Sequence, residues 1–282
     1  MSDTLIKFDT HIHTKHSLCS LLKPERILQL AEEAKLDEIV VKDHNTSNGA
    51  LEVKQYEDKY DVKVEIGNEV KTEFGELGLD FLSLEEAKFF EDMKKDKISF
   101  RKGTYRFQAI EEGVQYLRNN EEGSRLLVCL HHPFSLSFWS KRGGFDFYKA
   151  CGKAPFGKVI EKKVNPYFCS LSGLNGLIDY TELNANNLKI DEGRMAVIYA
   201  ATYKIPIVCS TDSHFEPQIG RYYTIGEQDS ARDSILKSDL QIPNPEDINY
   251  KKSRYYRTKS GLIKKPRKII RFFFKKAALN KS

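Results

Sequence analysis

Short apolar runs alternate with amphipathic stretches along most of this chain, and the two patterns predict strands and helices in turn. Helices are predicted over residues 23–35, 48–60 and 191–203, and in two pieces over 85–120 that break near Gly103. Strand–helix alternation of this kind favours a parallel sheet or barrel over an antiparallel sheet. Seven runs have the length and composition of strands: residues 5–8, 38–42, 62–70, 77–84, 126–130, 176–183 and 206–210.

Histidines and carboxylates recur at the ends of these predicted strands. The parallel strands of a barrel present their carboxyl ends at one rim, where active sites are built. In an extended segment His11 and His13 point to the same side, because side chains alternate along a strand. Two imidazoles so placed can bind one metal ion, although a polar loop with incidental histidines is the alternative for this stretch taken alone. The residues that gather at the predicted rim are His11, His13, His16, Asp43, His44, Glu69, His131, His132, Glu182, Asp212 and His214.

The order and spacing of these motifs resemble the PHP family, the polymerase and histidinol phosphatase superfamily. The resemblance covers roughly residues 5–224, apart from 134–175. It implies an α/β fold, a distorted (β/α)7 barrel similar to a TIM barrel, with a cluster of two or three divalent ions of zinc, manganese or iron. The matching segments are Asp9-Thr10-His11-Ile12-His13-Thr14, Asp43-His44-Asn45, Gly67-Asn68-Glu69-Val70, His132-Pro133-Phe134, Glu182-Leu183-Asn184 and Asp212-Ser213-His214, with Gly220 after the last.

The resemblance also implies a ligand set, residue by residue. Glu69 would bridge from a first ion to a second, which it shares with His132. Alternation with Val128 and Leu130 also favours His132 over His131, which would then point away from the ion. The first ion would be held by His11, His13, Glu69 and Asp212, and a third ion by His16, His44 and His214.

Asp43, Glu182 and Arg221 are the candidates for catalytic roles other than direct ligation. Asp43 would orient a ligand histidine through the other nitrogen of its ring. Glu182 would do the same or carry a proton, and the alternative is a strand-end carboxylate that caps the next helix. Arg221, or a Lys or Arg from the region of residues 135–175, would help to bind the phosphate.

Two positions depart from the family pattern and leave the number of ions open between two and three. Many relatives carry an acidic residue in the turn that reads Ser17-Leu18-Cys19-Ser20 here, and Cys19 either substitutes for that residue or does not. Some relatives place a histidine where this chain has Glu76, which is either a weaker oxygen ligand or a solvated turn residue.

Length and composition fit one catalytic domain in a reducing setting. The chain of 282 residues is long enough for an α/β barrel as a single domain. Its five cysteines are scattered and form no CxxC pair, which suits a reduced, cytoplasmic protein. No apolar run reaches the roughly 18 residues of a spanning helix, and the start of the chain leads directly into a predicted strand, so we expect neither a transmembrane segment nor a secretory signal.

Positive charge is concentrated towards the end of the chain. Residues 251–282 hold 13 Lys and Arg and no Asp or Glu, whereas residues 1–250 hold 32 basic and 40 acidic residues. We therefore predict a PHP-like metal-dependent phosphoesterase domain over 1–250, with an insertion near 135–175 that covers the mouth of the site. A basic amphipathic tail over 251–282 would dock on the barrel, on an anionic membrane surface or on nucleic acid.

The predicted activity is hydrolysis of a phosphoester by a metal-activated water, with a small phosphomonoester or a nucleotide as the substrate. The motifs build the phosphoryl site and not the pocket for the leaving group, so they do not separate these substrates. One alternative is a phosphodiesterase or nuclease that acts on single-stranded nucleic acid, with the tail as its electrostatic arm. Another is an inactive metal-binding module that docks a partner or a membrane through the tail.

Overall fold

The structure, a computed structural model, describes residues 5–72, 76–96, 100–101, 104–120, 126–132, 177–185, 190–244 and 247–249. The predicted insertion near 135–175 and the basic tail over 251–282 lie outside the described residues. Within the described ranges, no helix combines the length and the apolar character needed to cross a membrane.

All seven predicted strands are present, and the helices of the alternating pattern lie between them. The helix predicted over 48–60 ends early and continues as a 3-10 turn over Glu57–Lys59. The α-helices are α1 (Pro24–Glu33), α2 (Asn48–Lys54), α3 (Leu84–Asp96), α4 (Phe107–Asn120), α5 (Ile190–Tyr203) and α6 (Ala231–Lys237). The strands are β1 (Ile6–Ile12), β2 (Glu38–Val41), β3 (Lys63–Lys71), β4 (Glu76–Phe81), β5 (Phe100–Arg101), β6 (Thr104–Tyr105), β7 (Leu127–Leu130), β8 (Tyr180–Asn184), β9 (Ile207–Ser210), β10 (Thr224–Gly226) and β11 (Leu240–Gln241).

In the described part of the chain, nine strands form one sheet in the order β11-β10-β1-β2-β3-β4-β7-β8-β9. The sheet curls until β1 meets the segment that follows β9. There the backbone N–H of His13 donates to the carbonyl of Ser213 (2.9 Å), and the N–H of Ser213 donates to the carbonyl of His11 (3.2 Å). The sheet is therefore a nearly closed barrel, and the predicted α/β barrel of seven strands, β1 to β4 and β7 to β9, is confirmed.

One barrel strand breaks the parallel order that the alternation predicts. Strands β1, β2 and β3 run parallel, as do β7, β8 and β9, but β4 is antiparallel to both β3 and β7. The reason is the length of the connection, because β3 ends at Lys71 and β4 begins at Glu76. So short a turn permits an antiparallel return, whereas a parallel strand needs a crossover of about a dozen residues or more.

The sequence does not predict β10 or β11, because strands of two or three residues are too short to show a period. Helix α6 has only seven residues and is not predicted either. These elements cover the barrel end that lies away from the histidines. β10 pairs antiparallel with the first half of β1, where Phe8 lies opposite Thr224. Ala231 and Ile235 of α6 pack in one buried cluster with Phe8 and Leu127, near the amino ends of β1 and β7.

The larger part of the core lies between the sheet and the surrounding helices. All four residues of β2 are buried, as a strand packed on both faces requires. Helix α1 begins at Pro24, which suits the first helical turn, and it buries Ile27, Leu28 and Ala31 as a stripe. Burial of each large side chain of this kind contributes roughly 1.5–3 kcal/mol, so the helices hold the strands, and with them the strand ends, in fixed positions.

Buried side chains of opposite charge form a network within the same fold. Nζ of Lys42 is 2.6 Å from Oδ1 of Asp80 and donates to the hydroxyl of Tyr180 at 2.9 Å. Arg232 of α6 donates to both carboxylate oxygens of Glu65, each at 3.3 Å. A buried charge is costly unless it is paired, so each member of this network depends on its partner.

Candidate metal centre

His11 and His13, at the end of β1, point their Nε2 atoms at each other across 3.0 Å. Both side chains are fully buried. The pairing of β1 with β2 shifts register between Asp9 and Ile12, and such an irregularity re-aims side chains next to a site. Since their Nε2 atoms face each other, the two histidines share one side of the strand, as the alternation predicts.

In the neutral ring of His11, the proton sits on Nδ1 and Nε2 carries a lone pair. Nδ1 lies 3.0 Å from Oε2 of Glu182, and a carboxylate only accepts hydrogen bonds. Burial alone would raise the pKa of Glu182, but His131 and His11 hold it well below its usual range, so this carboxylate is charged. Nδ1 of His11 is therefore the donor to Glu182, and Nε2 is the atom that can bind a cation.

The ring of His13 is oriented in the same sense by Ser17, whose hydroxyl lies 2.9 Å from Nδ1. That hydroxyl donates its own hydrogen to Oδ1 of Asp43 at 2.5 Å, so it accepts the hydrogen of His13. Asp43 also accepts from the N–H (2.9 Å) and the hydroxyl (2.6 Å) of Thr14. Asp43 thus orients His13 through Ser17, which is an indirect form of the role that the resemblance implies.

Acceptor atoms converge on one point beside these two nitrogens. Oδ1 of Asp212 lies 2.8 Å from Nε2 of His13 and 3.6 Å from Nε2 of His11. Glu69 places Oε1 3.7 Å from Nε2 of His11 and Oε2 3.5 Å from Nε2 of His13. Charged carboxylates and the Nε2 atoms of neutral imidazoles have no hydrogen to offer, so these side chains repel one another unless a proton or a metal ion lies among them. The donor set fits the first of the predicted ions.

The charges around this point favour a cation. Burial alone would lower the pKa of His11, but Glu182, Asp212 and Glu69 raise it above its usual value. Burial would also lower the pKa of His132, but its bond to Glu69 and the nearby carboxylates raise it to about 10. A metal ion takes the place of such protons, and its binding releases them.

The second group of ligands surrounds Glu69 and includes both histidines after β7. Oε1 of Glu69 lies 3.3 Å from Nδ1 of His131 and 3.1 Å from Nε2 of His132. Alternation predicts that His131 points away, but β7 ends at Leu130 and His132 has a φ of 25°, so the chain is no longer extended there. Gly78 of β4 leaves room for the ring of His131, since a Cβ at this position would lie 2.2 Å from its Nε2.

Glu76, the first residue of β4, lies beside the same group. Its Oε2 is 3.4 Å from Nε2 of His132, and its side chain is only 12% exposed. One ligand atom each from His44, Glu69 and Glu76 lies within 4.8 Å of the others. Of the two alternatives for Glu76, the structure therefore favours an oxygen ligand over a solvated turn residue.

The third group contains His44 and His214 but not His16. Nε2 of His214 lies 3.0 Å from Sγ of Cys19, and His44 also hydrogen bonds to that thiol. His16 lies at the surface instead, with its Nε2 2.7 Å from Oε2 of Glu52 and 30% of its side chain exposed. Cys19 thus lies where the resemblance implies His16. The resemblance assigns this position to His16 and brings in Cys19 only as a substitute for the acidic residue that the turn lacks.

The structure also identifies Asn184 as part of the centre, where it donates to Oδ2 of Asp212 at 3.1 Å. Alternation with Glu182 along β8 is the signal that could have pointed to it. The two oxygens of Glu182 accept four hydrogen bonds, from Nδ1 of His11 (3.0 Å), the hydroxyl of Ser210 (2.6 Å), the N–H of His132 (2.9 Å) and the side-chain amide of Asn184 (3.1 Å).

Arg221 lies three residues beyond a 3-10 turn over Glu216–Gln218. Its guanidinium donates to the carbonyl of Asn249 at 3.2 Å and lies 5.0 Å from the ring centre of Tyr222. These contacts attach Arg221 to the segment that ends the described chain. Its role in phosphate binding stays a prediction.

Histidine and carboxylate side chains form overlapping groups at one rim of a nearly closed α/β barrel. This arrangement defines the class of the protein, a barrel with a candidate polynuclear metal centre. The sequence model of the PHP domain matches residues 9–196, and that of the PHP-associated region matches residues 192–238. The chain therefore belongs to the PHP family. Members of this superfamily are metal-dependent hydrolases and phosphoesterases.

Several proteins are similar to this chain over part or most of its length. PsfC from Pseudomonas syringae superposes with a TM-score of 0.55 at 15% identity, over 93% of this chain and 99% of that one. The lesion-specific endonuclease PfuEndoQ from Pyrococcus furiosus gives a TM-score of 0.56 at 17% identity, over 85% of this chain and 58% of its own. At these identities the likeness concerns the fold alone. An uncharacterised protein of Methanocaldococcus jannaschii is 35% identical over 82 residues, which span 26% of this chain and about half (48%) of that relative.

Proposed function

We propose that this chain is a metal-dependent phosphoesterase that hydrolyses a small phosphomonoester or a nucleotide. The observation that carries the proposal is the convergence of Nε2 of His11 and Nε2 of His13 with the carboxylates of Glu69 and Asp212. A buried set of acceptors that repel one another destabilises a fold unless a cation is bound. The set therefore argues for metal chemistry rather than for support of the barrel.

The ligands would divide between two or three divalent ions. Imidazole suits zinc and iron, and carboxylate suits manganese, so the mixed set does not select one of them alone. When bound, such ions activate a water molecule and stabilise charge on the phosphoryl group. Glu69 would link the first and second positions, because its Oε1 faces His131 and His132 whereas its Oε2 faces His13.

Asp43 and Glu182 would act as positioning residues. Both oxygens of Glu182 already accept hydrogen bonds, so the role of fixing His11 suits it better than carrying a proton or capping a helix. Asp43 would hold His13 in the same sense, through Ser17. Partners of this kind are typically worth about 10–100-fold in metal affinity or activity.

Recognition of the phosphate would draw on Arg221 and on basic residues of the 135–175 region. A guanidinium matches two phosphate oxygens at once, which makes Arg221 the first candidate. Residues outside the metal centre would then recognise the leaving group, so the same centre suits a phosphorylated small molecule or a nucleotide.

Cleavage of a phosphodiester is the second candidate, and two observations favour it. PfuEndoQ, an endonuclease by its name, shares the fold at a TM-score of 0.56. Residues 251–282 of this chain carry 13 basic and no acidic side chains, a composition that attracts polyanions. A nuclease of this kind would lose much of its salt dependence when the tail is removed.

The test compares hydrolysis of an aryl phosphomonoester with that of the matching bis-aryl diester. The parent and His11→Ala are assayed with manganese, zinc, iron(II) or no metal, and bound metal is measured by elemental analysis. We expect metal-dependent turnover of the monoester that His11→Ala abolishes. Turnover of the diester alone would favour the nuclease, and bound metal without turnover of either ester would favour an inactive module that docks a partner.

A further inference from the structure

The thiol of Cys19 lies between two histidines at the edge of the candidate metal centre. Sγ is 3.0 Å from Nε2 of His214, and His44 hydrogen bonds to the same thiol. Cys19 is buried, with 3% of its surface exposed. Its surroundings differ from those of Cys129 and Cys209, which lie inside the strands β7 and β9 and belong to buried hydrophobic clusters, where Cys129 hydrogen bonds to Tyr180.

In its neutral form, the imidazole of His214 presents a lone pair on this side. Nδ1 of His214 lies 2.7 Å from the backbone carbonyl of Asp212, which only accepts, so the ring proton is on Nδ1 and Nε2 faces the sulphur with a lone pair. Nδ1 of His44 contacts Oε2 of Glu69, which orients that ring. Ligand nitrogens of His13, His44 and His214 also lie within 4.8 Å of one another.

The turn that carries Cys19 is fixed by its neighbour in the chain. The hydroxyl of Ser20 lies 3.2 Å from the carbonyl of His13 and 3.2 Å from the carbonyl of His214, and it accepts from the N–H of Leu22 at 3.2 Å. These bonds connect the turn to both ends of the metal centre. The bonds of Ser20 thus hold Cys19 in a fixed position, and Cys19 does not merely fill a gap in the core.

We propose that Cys19 is a thiolate ligand of a third ion, which it binds together with His44 and His214, and that this ion is zinc. The inference deepens the proposed metal-dependent function. It assigns the third position to a residue other than His16, whose Nε2 bonds to Glu52.

The chemistry of the three side chains selects zinc over the harder ions. Thiolate is a soft ligand that suits zinc, whereas manganese and magnesium prefer carboxylate, carbonyl and water. One sulphur and two nitrogens would give three protein ligands, the number that catalytic zinc sites use. Binding would release the thiol proton, since the ligand form is the thiolate.

The test is zinc-edge X-ray absorption of zinc-loaded protein, which detects sulphur ligands without any assay of hydrolysis. We expect the parent to show a sulphur neighbour at about 2.3 Å, distinct from the nitrogen and oxygen shell at about 2.0–2.1 Å. Cys19→Ser should lose this sulphur neighbour and one zinc per chain by elemental analysis. Cys129→Ala, which removes a buried thiol from β7, should keep both.

Cys19→Asp and His16→Ala separate the competing assignments. Cys19→Asp should bind the third ion through oxygen, and its preference for zinc over manganese should fall about tenfold or more. His16→Ala should keep the sulphur neighbour and the zinc content of the parent. Thermal unfolding in the presence of a chelator checks that each variant is folded before it is compared.

Three results would overturn the inference: a parent spectrum without sulphur, a sulphur neighbour that persists in Cys19→Ser, or an ion lost in His16→Ala but kept in Cys19→Ser. The parent spectrum decides even if Cys19→Ser does not fold. Sulphur ligation without phosphoester turnover would support the inference while the proposed function fails. Turnover without sulphur ligation would do the reverse.

Discussion

The hydroxyl of Ser17 accepts the Nδ1 hydrogen of His13 at 2.9 Å and thereby fixes which nitrogen of that ring faces the candidate metal centre. The serine can do so because it donates its own hydrogen to Asp43. Ser17→Ala removes the acceptor, so His13 can rotate or change tautomer. We expect metal affinity at the first position to fall about 10–100-fold, measured by competition with a chromophoric chelator. Ser238→Ala, an exposed serine at the end of α6, is the matched control and should bind metal like the parent.

A second prediction concerns Glu182, whose two oxygens are surrounded by four donors. Glu182→Gln keeps the shape but turns one oxygen into an NH2 group, which then faces donors and cannot bond to them. We expect phosphoester turnover to fall about 10–100-fold, with the fold retained by circular dichroism. Glu216→Gln, which changes a carboxylate that is 53% exposed, serves as the control. Equal activity of the two variants would rule out a positioning role for Glu182.

A third prediction tests whether His131 takes part in the centre. A Cβ at Gly78 would lie 2.2 Å from Nε2 of His131, so Gly78→Ala should displace the ring from Glu69. We expect weaker binding of the second ion and a loss of stability of about 1–3 kcal/mol, measured by metal titration and by urea unfolding.

Gly113→Ala is the steric control for this experiment. A Cβ there would also meet an atom at 2.2 Å, but that atom is the terminal methyl of Met93, which can move. Gly113 lies inside α4, where alanine is favoured over glycine by about 1 kcal/mol. We expect stability equal to or above that of the parent, and unchanged metal binding. If both variants bind the second ion like the parent, His131 is not required for it.

A fourth prediction follows from Glu65, which belongs with Arg232 to the network of buried charged side chains. Burial raises the pKa of Glu65 to about 7, although Arg232 opposes the rise. Because the folded pKa exceeds the ordinary value of 4.5, the folded chain binds a proton that the unfolded chain has released. Stability from this group is therefore full below pH 4.5 and is lost as the pH rises to about 7.

Glu65→Gln removes that titration. We expect the fall in unfolding free energy between pH 5 and pH 8 to be smaller than in the parent by about 1–3 kcal/mol. Urea unfolding of both proteins in the presence of a chelator measures it, so that metal binding does not add its own pH dependence. An unchanged slope would mean that Glu65 is already ionised at pH 5.

The sequence predicts the features that depend on spacing along one strand. His11 and His13 alternate on β1, and the carboxyl ends of parallel strands meet at one rim, so the pairing of these two histidines follows from pattern, whereas the remaining ligands of the first position follow from the family resemblance. The number of barrel strands follows from the apolar runs for the same reason.

Features that depend on turns are the ones that the sequence does not predict. The direction of β4 depends on a short connection, and the orientation of His131 depends on a positive φ at the next residue. The positions of His16 and Cys19 depend on the turn between them and on the hydroxyl of Ser20, which lies beside the carbonyls of His13 and His214. Periodicity carries no information about any of these, because each arises where the regular period stops.

The hydrogen bonds between Ser213 and the backbone of His11 and His13 have a consequence for the order of folding. They join parts of the chain that lie some two hundred residues apart, and contacts of such separation form late because the intervening loop must first be closed. This closure brings Asp212 next to the first ligands. During synthesis, nearly the whole barrel has to leave the ribosome before the first position can hold an ion tightly. Metal binding at the first position would then be the last step of folding, and a bound ion would show that the barrel is complete.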